Sequence, residues 1–191
     1  MPKIGVSDLH YAAITSDGKE GTVYGQPKPI PQLSKIKIDP KVNSKTYYAD
    51  NVAAATYSAM GEVDVEAEVG DVPIETQAEL LGSQIDGGVM YCKSTDQGPY
   101  VALGFVSLDD KGKKEFVWLY KGKFSIPAED LKTLEDTPDF QPKTIKGTFI
   151  SRASDGLWRA VANEGATGYE AATGTNWFTK VHEKPAQVPE G

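Results

Sequence analysis

The stretch that decides the fold is 61–69, which reads Gly-Glu-Val-Asp-Val-Glu-Ala-Glu-Val. Its apolar side chains alternate with acidic ones, and this period of two predicts a β-strand that buries only one face. The acidic face carries Glu62, Asp64, Glu66 and Glu68. Neighbouring carboxylates on such a face lie roughly 6.5–7 Å apart, and their repulsion is small only when water surrounds them. The pattern therefore predicts a wet face, either an exposed sheet face or the wall of a water-filled pore.

The rest of the chain also favours β-structure. Short runs with strand-like alternation are bounded by glycine, proline or polar turns; they are 35–38, 46–48, 89–92, 100–108, 115–120, 144–151 and 157–162. We expect the first run to end at Asp39-Pro40 and the last two to form a closing hairpin. Residues 53–60 are rich in alanine, so both a strand and a helix remain open there. The chain is predicted to be mainly β.

One short helix is predicted between Asp71 and Gly82. Asp71-Val72-Pro73 supplies the start, because proline is favoured in the first turn. Gly82 is placed to end the helix. Ile74, Ala78 and Leu81 would then share one face. A helix with a single buried stripe suits the open end of a sheet or sandwich.

Segment 115–120 is apolar on both of its faces. Phe116, Trp118 and Tyr120 alternate with Val117 and Leu119. The polar turn 109–114 predicts a hairpin with 100–108. A strand of this kind must be covered on both sides, by the core or by a partner subunit.

The two ends of the chain look less regular than its middle. Prolines at 27, 29 and 31 cannot donate ladder hydrogen bonds, so 26–31 is predicted to be an extended arm or a crossover. Residues 1–34 as a whole are predicted to be an irregular N-terminal arm. Residues 164–191 are small, polar and glycine-rich, and are predicted to be a partly disordered extension. Residues 1–163 would then make a single domain.

The charge balance limits the classes of partner. The formal net charge is −7 and the isoelectric point is near 4.9. This argues against a protein that grips nucleic acid or an anionic membrane by charge neutralisation. The sequence shows no apolar stretch long enough for a signal peptide or a membrane-spanning helix, so neither is expected.

Residues with catalytic or metal-binding chemistry are scattered. His10 and His182 lie near opposite ends of the sequence, and Cys92 is the single cysteine. Because Cys92 continues an apolar strand, it is predicted to be a buried structural thiol. The sequence has no G-x-S-x-G, P-loop or dinucleotide-binding pattern. We expect no catalytic residue, no cofactor and no metal site, and therefore no enzyme.

Several short segments, in a fixed order, carry a resemblance to a known family. They are 6–12 (Val-Ser-Asp-Leu-His-Tyr-Ala), 48–51 (Tyr-Ala-Asp-Asn), 71–75, 80–82, 98–105 (Gly-Pro-Tyr-Val-Ala-Leu-Gly-Phe), 117–124 (Val-Trp-Leu-Tyr-Lys-Gly-Lys-Phe), 137–141 and 147–150. In their order and spacing, the chain resembles the major tail protein, or tail-tube subunit, of long-tailed non-contractile bacteriophages. The branch is the one common in phages of Gram-positive hosts.

The resemblance implies an architecture and an assembly. The fold would be a β-sandwich with one flanking short helix and an extended arm or hairpin. Hexameric rings would stack into a tube in the virion tail, assembled in the host cytoplasm, through which DNA passes without specific binding. Further partners would be the tape-measure protein and the tail terminator and distal tail proteins. The stacking element is mapped onto the long hairpin 39–60 and the N-terminal arm.

The expected site residues fall into two groups. Glu62, Asp64, Glu66 and Glu68 are expected to face the lumen, where they would repel phosphates. The expected contacts between subunits are Tyr47, Tyr48, Asp50, Asn51, Tyr57, Trp118 and Tyr120. For the aromatic residues among them, the sequence pattern alone favours a place in the core. The alternative is a monomeric β-sandwich binding module of the carbohydrate-binding or adhesion type, with exposed aromatics as its ligand platform.

Overall fold

The computed structural model describes residues 2–49, 52–127 and 142–184, and the protein is mainly β there, as predicted. The strands are β1 (Lys3–Gly18), β2 (Gly21–Tyr24), β3 (Lys28–Pro29), β4 (Leu33–Ala49), β5 (Val52–Val69), β6 (Gln84–Asp86), β7 (Val89–Tyr91), β8 (Val101–Asp109), β9 (Lys114–Ser125), β10 (Lys143–Ile150) and β11 (Arg159–Asn163). The helices are α1 (Ile74–Leu81) and α2 (Ala171–Thr175). The sandwich arrangement stays a prediction.

Nine of these described strands form one curled antiparallel sheet in the order β2-β1-β8-β9-β10-β5-β4. β3 pairs with β1, while β11 shares one edge of β9 with β10. The curl brings β4, at one end of the sheet, towards β1 near the other end. These two strands line a groove of about 470 Å³. The apolar face of the curl encloses the main core.

The deciding stretch 61–69 behaves as its alternation predicts. It forms the second half of β5, and its apolar residues Val63, Val65, Ala67 and Val69 are fully buried in the main core. The acidic residues between them point to the opposite face, which is open to solvent. The preceding segment 53–60, which sequence left undecided, is also strand.

The helix α1 lies where sequence predicts it and packs against the main core. Gly82 ends it in the left-handed conformation, with φ 73°, and a Cβ there would lie 2.3 Å from the Gln97 carbonyl oxygen. The predicted stripe is partly wrong, because Ala78 and Leu80 are the buried residues. The Leu80 side chain lies in the main core, and the loop at Gly98 passes close to the Leu80 carbonyl group.

A second apolar cluster lies on the other face of the sheet. Phe116, Trp118 and Tyr120 of β9 point into it, whereas Val117 and Leu119 belong to the main core. The prediction that this strand is covered on both sides is confirmed. The cover is the segment 164–184, which includes α2 and places Trp177 and Val181 in the cluster.

Residues 164–184 of the predicted C-terminal extension are thus packed on the sheet, while 185–191 lie outside the described residues. Small residues here serve close packing, because a Cβ on Gly174 would lie 2.8 Å from the Phe116 ring. A composition that suggests disorder instead lets the chain lie directly on aromatic rings.

The predicted irregular arm at 1–34 is also wrong for its first half. Residues 3–18 form β1, which pairs with β8 and buries Leu9 and Tyr11. The register shifts between Ser7 and His10, and Asp8 has a φ of 55°. This β-bulge interrupts the alternation from which a strand would be recognised.

Three smaller expectations are corrected. Pro40 does not end its strand, because β4 is an edge strand with a register shift after Pro40, the position where proline is tolerated. β10 and β11 do not form a hairpin with each other, since both pair with β9, at 121–125 and 115–119. Cys92 is exposed, because it follows the small β6–β7 ribbon, which is separate from the main sheet.

Candidate assembly surfaces

A two-stranded hairpin projects beyond the curled sheet. β4 and β5 continue to pair with each other from Val42 opposite Met60 to Ala49 opposite Val52. β10 reaches only residues 63–69 of β5, so within the described residues the hairpin has no third strand. Its paired length is about 25 Å at the usual rise per residue. The predicted long hairpin is thus present in the described parts of 39–60.

The two faces of this hairpin differ in chemistry. One carries Tyr47 and Tyr57, which are 68% and 75% exposed, with Lys45 opposite Tyr57. The other is rich in hydroxyl groups, with Ser44 and Ser58 hydrogen bonded at 2.9 Å. An isolated two-stranded hairpin is marginally stable in water. Packing the exposed tyrosine face against another surface would therefore stabilise it.

Three further expected contact residues lie in the segment 39–60, and only one of them belongs to the described structure. Tyr48 lies in β4 opposite Ala53. Asp50 and Asn51 lie outside the described residues. Their expected role in contacts between subunits therefore stays a prediction.

Trp118 and Tyr120 are not contact residues in this conformation, which corrects the expectation from sequence. They are 0% and 1% exposed. The indole N–H of Trp118 donates to the Trp177 carbonyl at 3.1 Å, and the Tyr120 hydroxyl donates to the His182 carbonyl at 2.8 Å. Burial raises the pKa of Tyr120 to about 12, so its hydroxyl remains a donor. Both aromatics hold the C-terminal segment on the sheet.

The acidic row of β5 lies on a face that also carries lysines. Across the β4–β5 ladder, Lys35 lies opposite Glu68 and Lys37 lies opposite Glu66. On the other side, Lys146 of β10 lies opposite Glu66. We call this surface the open charged face; its charged residues are Lys35, Lys37, Asp39, Lys41, Glu62, Asp64, Glu66, Glu68 and Lys146.

Ion pairs connect these opposite charges. The Lys35 and Glu68 side chains approach to 2.8 Å, and those of Lys146 and Glu66 to 3.1 Å. Lys41 lies 3.5 Å from Asp64. The hydrogen bond from Lys146 holds the pKa of Glu66 below its usual value, and the bond to Glu68 raises the pKa of Lys35. The row that looks purely acidic in sequence is therefore charge-compensated in the fold.

A buried ion pair joins β1 to β9. Lys121 Nζ lies 2.5 Å from Asp17 Oδ2, with only 13% and 11% of the two side chains exposed. Thr22 donates a second hydrogen bond to Asp17 at 2.9 Å. The bond from Lys121 is the main reason that the pKa of Asp17 lies below its usual value.

We expect the substitution Lys121→Met to lower the free energy of unfolding by about 1–3 kcal/mol at pH 7, because Asp17 is left buried without its charged partner. The pKa of Asp17 is lowered in the folded state, so this contribution is complete above its unfolded pKa. It is lost as the pH falls through the lower folded value. Urea unfolding should therefore show a gap between wild type and variant that closes at strongly acidic pH. The double variant Asp17→Asn/Lys121→Met should recover most of the loss; an equal loss in both would contradict the ion-pair explanation.

At the groove between β1 and β4, the outer edge of β4 and one edge of the first part of β1, before His10, have no ladder partner in the described part of the chain. Val6, Ile36, Ile38 and Phe105 line its apolar part. The Nε atom of Arg159, another lining residue, is buried without a hydrogen-bond acceptor. Free edges of this kind are the places where a second β-strand can add.

Among the described residues, no group of His, Cys, Asp or Glu side chains is placed to hold a metal ion. His10 stacks on Phe178 at 4.1 Å, and His182 stacks on Trp177 at 4.8 Å. Both histidines, remote in sequence, thus help to fix the C-terminal segment.

Comparisons with known proteins add no assignment. No family model and no curated protein sequence matches the chain. Within the described residues, no helix has the length and apolarity needed to cross a bilayer. The features of the described structure that bear on function are the hairpin, the free edges and the open charged face.

Proposed function

We propose that the chain is a structural subunit that self-assembles into the tail tube of a long-tailed, non-contractile bacteriophage. The projecting hairpin is the observation that carries this proposal. It extends past the body of the sheet with its tyrosine face exposed, and it has no packing role within the described part of the chain. Such a feature suits a subunit whose contacts are completed by copies of itself.

The free strand edges support the same proposal. An edge strand as long as β4, with 17 residues, is a site for unwanted association unless it is covered or paired. In a ring of identical subunits, each such edge can be covered by a neighbour. Stacked hexameric rings, as the resemblance implies, would place the hairpin of one ring against the next.

The open charged face supports a role that needs water. Its carboxylates and ammonium groups remain accessible on one side of β4, β5 and β10. We propose that this face lines the channel, through which DNA is delivered to the host. The proposed further partners are the tape-measure protein and the tail terminator and distal tail proteins, and the proposed location is the virion tail. This function requires no enzymatic step.

Cryo-electron microscopy of the purified protein over a wide range of concentrations tests the proposal. We expect rings at intermediate concentration and stacked tubes at high concentration, because self-association is driven by mass action. Discrete monomers at every concentration, also in the presence of the tail terminator and distal tail proteins, would contradict it. A persistent monomer that binds a glycan would instead favour the monomeric binding module.

A further inference from the structure

We propose that the acidic row of β5 keeps the lysines of the open charged face from binding DNA, so that this face is a nucleic-acid-binding surface silenced by its own ion pairs. The inference rests on the proposed function for its biological partner, the DNA in the channel. The surface chemistry itself concerns a single folded chain and can be tested without any assembly.

The lysines are placed where a DNA backbone could contact several of them at once. Lys35 and Lys37 are two residues apart on one face of β4, and Lys146 lies on β10, two strands away across the ladder. Strand spacing and residue rise place the backbones of the three within about 12 Å of one another. Duplex DNA carries a negative charge for every ~1.7 Å of its axis. Without the acidic row, these three ammonium groups would form a binding patch.

The acidic row lies between the two lysine-bearing strands, and Glu66 has a lysine opposite it on each of them. Glu68 holds Lys35 at 2.8 Å and Glu66 holds Lys146 at 3.1 Å. Glu66 also lies opposite Lys37. A lysine that is already neutralised by a fixed carboxylate releases no additional counterion when DNA approaches, and counterion release supplies most non-specific affinity.

Simple repulsion by an acidic wall does not describe this face, because its positive and negative groups nearly balance. Five carboxylates face four lysines on the three strands, so the long-range field is small and the pairing of individual groups decides the outcome. The effect is therefore local: neutralising the acidic row should matter far more than neutralising acids elsewhere on the chain.

Two variants of equal net charge test this inference. The row variant is Glu62→Gln/Asp64→Asn/Glu66→Gln/Glu68→Gln, and the matched control is Glu20→Gln/Glu75→Gln/Asp86→Asn/Asp110→Asn, made at exposed positions away from the face. Each changes the formal net charge from −7 to −3. Fluorescence anisotropy with a labelled 20-base-pair duplex, at several salt concentrations between 50 and 200 mM, measures binding.

We expect the row variant to bind the duplex at least tenfold more tightly than wild type, and the control to bind no better than wild type. The logarithm of the binding constant should fall with the logarithm of the salt concentration with a slope of about −3, for three lysines. Adding Lys35→Gln/Lys37→Gln/Lys146→Gln to the row variant should abolish the gain. The smaller variant Glu66→Gln/Glu68→Gln removes the carboxylates that pair with or lie opposite these three lysines, so it should also bind, with the same slope of about −3.

Equal binding by the row variant and its control would overturn the inference, because net charge alone would then explain the result. If the folded Glu66→Gln/Glu68→Gln variant did not bind the duplex, that result would overturn the inference as well. Neither result depends on rings or tubes, so it leaves the proposed function standing. Conversely, a protein that never assembles could still show the full effect of the row variant on DNA binding.

Discussion

Replacing residues 42–60 by Asn-Gly should abolish tube elongation and leave a folded subunit. The cut removes the paired length of the projecting hairpin and retains Pro40 opposite Val63, the last pair next to the curled sheet. Asn-Gly is the strongest two-residue signal for a tight hairpin, and none of the excised residues whose burial the structure describes is buried. Thermal unfolding should therefore change little, while cryo-electron microscopy should show isolated subunits or single rings.

The two faces of the hairpin provide a matched pair of smaller variants for the same experiment. Tyr47→Ser/Tyr57→Ser removes the exposed aromatic groups, and Ser44→Ala/Ser58→Ala alters the hydroxyl face by a similar number of residues. We expect the first to shorten or eliminate tubes and the second to leave them unchanged, because buried tyrosines commonly dominate contacts between proteins. Tubes of normal length after the complete excision would remove the stacking role from this segment.

The parts of the fold that sequence predicts are those that local patterns determine. The alternation of 61–69, the start and end signals of α1 and the polar turn before β9 each act within a few residues, and each is found in the structure. β1 is missed because a bulge near Asp8 breaks its alternation. The C-terminal segment is missed because its small residues gain order only by packing against distant aromatic rings.

In the open charged face, too, sequence predicts the local pattern and misses the contacts between distant segments. Sequence identifies the acidic row, but the lysines that compensate it lie about 30 residues earlier and 80 residues later. Only the strand order brings them together. The alternation of Lys35 and Lys37 with isoleucine was the available signal, and it predicts a strand without predicting its neighbour. For Trp118 and Tyr120, the sequence pattern favours the core but does not show which segment covers them, because that depends on the strand order and on the C-terminal segment.

The largest effect on stability is expected from Trp177→Ala. Trp177 is 1% exposed, and its indole packs 5.9 Å from the Phe116 ring and 4.8 Å from the His182 ring, centroid to centroid. Its carbonyl accepts the hydrogen bond from Trp118. Replacing a buried tryptophan by alanine costs about 3–5 kcal/mol, and urea unfolding at pH 8 should show a loss of this size. Tyr57→Ala, at a position that is 75% exposed, should remain within about 0.5 kcal/mol of wild type.

The pH dependence of the same variant separates a packed C-terminal segment from a loosely attached one. Burial, with a smaller effect from Lys180, lowers the pKa of His182 from its usual value of 6.5. The unfolded chain therefore takes up a proton first, and this group's contribution to stability declines as the pH falls from 6.5 to the lower folded value. Trp177→Ala exposes the His182 imidazole, so the variant should lose less stability than wild type between pH 8 and the weakly acidic range.

An unfolding free energy within about 1 kcal/mol of wild type at pH 8, with an unchanged pH profile, would show that residues 164–184 contribute little to the fold. The apolar face of β9 would then need a different cover, such as a neighbouring subunit.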